Sequence, residues 1–132
     1  MKQTLWMSLL LLGAASFALG WAGLPRAQAG DAACGAKGQP SCPLQGWMEK
    51  NMDPAVEKAD TKALAVAFEK AAKFAPDAAW NTAEPSWSKL ALAGAEAAKK
   101  GDLAAAKAQC KSCHKAFGEK YRATFRTKPV PN

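Results

Sequence analysis

Apolar positions recur every three or four residues through most of the chain beyond residue 40, and this rhythm is the mark of amphipathic helices. Leu44, Trp47, Met48, Asn51, Met52 and Ala55 share one helical face. They predict a first helix from Pro43 to about Lys58, with Ser41 as its cap and Pro43 within its first turn. Pro54 interrupts this helix, either as a kink or as the first residue of a restart capped by Asp53. Asp60 is the next cap. Leu64, Ala67, Phe68, Ala71 and Phe74 form the stripe of a second helix, which Pro76 stops. The loop from Pro76 to Pro85 holds one large apolar residue, Trp80. Pro85 opens a third helix that buries Trp87, Leu90, Ala91, Gly94 and Ala98. Gly101 ends it where a left-handed backbone is needed, and Asp102 at once caps a fourth. On the fourth, Leu103, Ala106, Cys110, Cys113, Phe117, Tyr121 and Thr124 keep the spacing, and Pro129 and Pro131 mark a frayed tail. No stretch alternates with period two. The expected fold is all-α, an antiparallel up-down-up-down four-helix bundle.

These helix faces are rich in alanine. Small residues let helices approach closely but bury little area each, and at about 25 cal/mol per Å2 the core of so small a domain is marginal. A bulky apolar guest would make up the deficit, and the chain without one is expected to fold poorly.

The first 29 residues change the domain count and the compartment. Lys2, the apolar run from Leu5 to Leu24, Pro25 and Ala27-Gln28-Ala29 read as a secretory signal cleaved after Ala29. The run is long for a signal core, so retention as a membrane anchor is the competing reading. Residues 1–29 are then a signal peptide and 30–132 one domain, exported to the periplasm, with no membrane span once the signal is gone. Cleavage removes Lys2 and Arg26 and no acid, which lowers the formal charge of +7 by two. A modest positive charge suits acidic protein partners or an anionic surface. The lysines are spread along the helices rather than massed, so no nucleic-acid partner is implied.

The chemistry concentrates at Cys110-Lys111-Ser112-Cys113-His114. C-x-x-C-H is the attachment signature of a c-type haem. Two thiols at this spacing can each form a thioether to one vinyl group of the same porphyrin. The adjacent imidazole is then presented to the iron. His114 is the only histidine in the chain, so no other imidazole competes. The competing readings are a plain thiol pair or half a zinc site. Cys34 and Cys42 are followed by no histidine and form no second haem site. In an exported chain they are expected to pair as a disulfide, closing a Gly/Pro-rich loop worth about 2–3 kcal/mol in the chain-entropy model. A four-cysteine zinc site is the alternative use of these thiols. One histidine committed to iron leaves no Ser-His-Asp set. There is no phosphate loop and no paired carboxylates, so no enzyme activity is expected.

Taken together, Gly101-Asp102-Leu103 leading into Cys110-Lys111-Ser112-Cys113-His114, with Tyr121-Arg122 beyond, resembles the cytochrome c′ family of exported four-helix-bundle haem proteins. The likeness runs from about Leu44 to Arg126, and the C-terminal placement of C-x-x-C-H is its distinctive part. Leu44-Gln45-Gly46-Trp47-Met48 is similar to the family's first-helix segment, which implies that Met48 covers the distal face of one covalent haem c. Three features depart from the family. Leu44 stands where an arginine is usual, Gly118 stands where many members carry an arginine beside the proximal imidazole, and the segments between helices are short.

Met48 and Met52 lie one turn apart on one face. Either thioether, with Met48 first by the resemblance and Met52 as alternative, would complete a low-spin iron opposite His114 and raise its potential. Otherwise both are gap-filling core residues. Lys111, Lys115, Lys120 and Arg122 flank the motif, either as a solvated face or as docking and propionate-pairing groups. Trp47, Trp80 and Trp87 read as core, and Tyr121 as packing with its hydroxyl at the rim. The expected function is that of a one-electron carrier with Cys110, Cys113 and His114 as its haem site, serving redox partner proteins, with a homodimer as a further assembly. The alternative is a five-coordinate haem protein that binds NO or CO.

Overall fold

The computed structural model describes residues 34–131. The signal segment, its cleavage site and the anchor reading lie outside the described residues. Within them the fold is all-α. Its helices are α1 (Pro43–Asn51), α2 (Asp53–Glu57), α3 (Thr61–Ala71), α4 (Trp87–Lys99) and α5 (Leu103–Lys120). A 3-10 turn spans Ala78–Asn81, and a π-helical turn, Tyr121–Phe125, follows α5 directly. Among the described residues there is no strand, and no helix is long and apolar enough to cross a membrane.

The helix boundaries follow from capping chemistry. The Asp60 carboxylate accepts a bond from the Ala63 N–H at 2.9 Å, and Asp102 does the same for Ala105. Each satisfies one of the four N–H groups that a helix start leaves unpaired. α4 starts later than Pro85 would suggest. Ser86 is its cap, with Oγ accepting from Lys89 N–H, and Pro85 follows a cis peptide in the preceding loop. At α1 the cap residue is Cys42 and no side chain caps the end. Ser41 Oγ donates instead to Glu49, at 2.6 Å. The predicted first helix is divided at Met52, where Asp53 and Pro54 restart the chain as α2.

Two helix ends use the same closing motif with different residues. At α4 the Asp102 N–H reaches Ala97 O and the Gly101 N–H reaches Ala98 O, with Gly101 at φ +75°. At α2 the Asp60 N–H reaches Ala55 O and the Ala59 N–H reaches Val56 O, with Ala59 at φ +52°. The left-handed position suits glycine and strains alanine.

α3 packs along α4, and α4 along α5. The first core cluster lies at these seams and is built largely from alanines, with Leu64 and Phe68 as its bulk. Gly94 permits the close approach: a Cβ there would stand 2.6 Å from the Phe68 ring. A second cluster is aromatic. Trp80 stacks on Phe117 with centroids 4.7 Å apart, and Trp87 meets Phe117 edge-on at 5.6 Å. Trp87 Nε1–H donates to Ala71 O at 2.7 Å, a carbonyl at the end of α3 that also accepts from the Phe74 N–H at 3.3 Å.

The π-helical turn shifts the apolar stripe of α5. Continued three-four spacing would bury Thr124, but the wider turn exposes it, and Phe125 packs against Trp80 instead. The C-terminal tail is not frayed. Val130 packs on the aromatic cluster, and Lys128 Nζ donates to Pro76 O.

Candidate functional site

Whereas α4 lies against both α3 and α5, α1 makes no comparable backbone approach to α5. A cleft of about 410 Å3 opens between them, a size typical of small-molecule and cofactor sites. Cys110, Cys113 and His114 line it from α5, and Met48 and Met52 line it from α1 and its end. Leu44, Phe68, Trp87 and Phe117 supply apolar walls. The structure therefore brings Cys110, Cys113, His114, Met48 and Met52 to one cleft, with Arg122 but without Lys111, Lys115 or Lys120.

The two thiols are in the apolar part of this wall, unpaired and half-buried. Burial pushes the Cys113 thiol up to about 12, with the neighbouring Cys110 adding to the effect. Cys110 is raised as well, chiefly by burial and in part by the Asp53 carboxylate. Both are therefore neutral near pH 7 and trap no charge against apolar side chains. His114 is exposed at the lip of the cleft. Of the methionines, Met52 is buried and Met48 half-buried.

A clasp holds α1 over α5 at one end of the cleft. Cys34 and Cys42 are disulfide-bonded with Cα atoms 4.8 Å apart, which rules out a zinc site using all four thiols. The Arg126 guanidinium donates to Cys34 O at 3.1 Å, and Tyr121 O–H donates to Arg126 O at 3.2 Å. Burial raises the Tyr121 phenol, while the N–H groups of Gln45 and Leu44 in the first turn of α1 pull the other way. Tyr121 is thus more than rim packing: it is seated against the start of α1. Arg126 was missed in the sequence because its partner is 92 residues away.

The residues fit a covalent haem. The cleft is large and apolar, both thiols face it from one helix, an imidazole stands beside them and thioethers line the other wall. Among the described residues no group of three or more His, Cys, Asp or Glu side chains is arranged to hold a bare metal ion. Comparison with protein-family models, curated proteins and solved structures returned no match. The case for the site therefore stands on this geometry and on the sequence motif.

Proposed function

We propose that the protein is an exported, periplasmic monohaem c-type cytochrome that carries one electron at a time, as the likeness to the cytochrome c′ family implies. The observation that carries this reading is the single cleft wall presenting Cys110, Cys113 and His114 opposite Met48 and Met52. We take the helices to form an up-down-up-down antiparallel bundle with α1 and α2 as one broken helix. The three-residue turn from Lys100 to Asp102 and the packing order α3–α4–α5 favour it.

The haem would supply a one-electron iron couple. Cys110 and Cys113 would hold it by thioethers, and His114 would be its proximal ligand. Met48 or Met52 would close the opposite side and raise the potential. Leu44, Phe68, Trp87 and Phe117 would surround the haem with apolar side chains, which would favour the less charged, reduced state. Partners are acidic redox proteins that meet the basic surface of the chain.

The reading is tested by the visible spectrum of protein made in a host with c-haem maturation machinery. Sharp low-spin bands are expected. Broad high-spin bands with rapid CO binding by the reduced protein would replace the electron-carrier reading with that of a gas-binding haem protein. Absence of a Soret band would remove both.

A further inference from the structure

The charges around the cleft are unevenly placed. Asp53 is close enough to Cys110 to affect its thiol, whereas Tyr121 is seated against Leu44 and Gln45. These pairs order the cleft from a Cys110–Asp53 end to a Tyr121–Gln45 end. The acids Glu49 and Asp53 line the α1–α2 wall, and Arg122 is the only lysine or arginine among the lining residues. The Ser41 hydroxyl and the Gln45 amide both donate to the Glu49 carboxylate, at 2.6 and 2.8 Å. A ligand bearing carboxylates is repelled from one side of the cleft and has one cation to turn toward.

Local structure aims that cation. His114 and Gly118 on α5 and Arg122 on the π-helical turn all line the cleft. Arg122 Nη1 is 3.4 Å from where a Cβ on Gly118 would be. The guanidinium is therefore folded back over the glycine, toward the histidine. The π-helical turn begins at Tyr121, and such turns often occur at functional sites. Among the described residues the Arg122 side chain has no ion pair or hydrogen bond. Arg126, one turn on, is already committed to Cys34.

We infer that Arg122 is the docking group for the carboxylate edge of the cofactor, which it would meet from the same cleft wall as Gly118 and His114. The inference rests on the haem reading. Arginine suits this role because its planar fork pairs both oxygens of a carboxylate.

The experiment compares the holoprotein with Arg122→Gln, Arg122→Lys and, as a control outside the cleft, Lys120→Gln. Haem staining after denaturing electrophoresis is read first. Its absence from the unsubstituted protein would overturn the haem reading itself, before Arg122 is tested. With staining present, Arg122→Gln is expected to shift the propionate bending band in the resonance Raman spectrum. It should also favour the ferric state about tenfold, a fall of about 59 mV for a one-electron couple. Arg122→Lys should recover part of both changes, and Lys120→Gln should show neither. A Raman band unmoved by Arg122→Gln would overturn the inference whatever the potential does, because the guanidinium would then act only as a distant charge. Equal effects from Arg122→Gln and Lys120→Gln would overturn it as well.

Discussion

The seam between α3 and α4 and the gap between α1 and α5 are built from opposite materials. The first is lined by Ala67, Ala71, Ala91, Ala95 and Ala98 and is brought into contact by Gly94 under Phe68. The second is lined by far larger side chains, Leu44, Met48, Met52 and Phe117 among them, yet leaves about 410 Å3 open. Protein interiors are normally packed without such voids. Small residues thus bring α3 and α4 into close contact, while larger ones, together with Ala71 and Ala91, frame a space they do not fill. A domain of this size cannot readily spare that buried area, and on the proposed reading the gap is the berth of the haem.

Four variants break or sharpen the contrast through stability. The largest effect is expected from Cys34→Ala with Cys42→Ala. Loss of the loop closure should cost about 2–3 kcal/mol and release α1 from the clasp, read as a lower urea midpoint. Next is Gly94→Ala. Its Cβ would overlap the Phe68 ring at 2.6 Å, and overpacking of this kind costs about 1–3 kcal/mol. A gain in stability would show that the closed seam is looser than described. The smallest is Ala59→Gly, which should stabilise by up to about 1 kcal/mol by relieving the left-handed alanine at the end of α2. Gly101→Ala at the matching position of α4 should cost a similar amount.

Thiol chemistry sharpens the other side. In protein made without haem, only the thiolate reacts with iodoacetamide. Cys113, raised to about 12 by burial and by Cys110, should be alkylated more slowly than Cys110. Its rate should climb about tenfold per pH unit below that value. Equal rates at both cysteines, measured by peptide mass spectrometry, would mean that the cleft wall is open to water when empty.

The helices and their acidic caps were legible in the sequence because they depend on neighbours within four residues. Asp60, Asp102 and Gly101 do what their chemistry announces. The site was legible for a related reason. Cys110, Cys113 and His114 fall within one five-residue motif, and Met48 and Met52 share a helical face, with Met48 put first by the family resemblance. What escaped was either a local exception or a distant pairing. The π-helical turn has no pattern of its own and moved Thr124 out and Phe125 in. The clasp joins Cys34 to Arg126 across nearly the whole described chain, and nothing near either residue announces the other. The tail looked frayed because its two prolines end helices, but Val130 between them finds an apolar surface that only the folded chain creates.

The central claim is that the open gap holds a haem bound covalently through α5. The most direct measurement is haem staining of the exported protein after denaturing electrophoresis, beside the Cys110→Ala, Cys113→Ala double variant. The account predicts a stained band for the unsubstituted chain and none for the double variant. Equal staining of the two, or an unstained chain whose Cys110 and Cys113 are both free to alkylation, would contradict it.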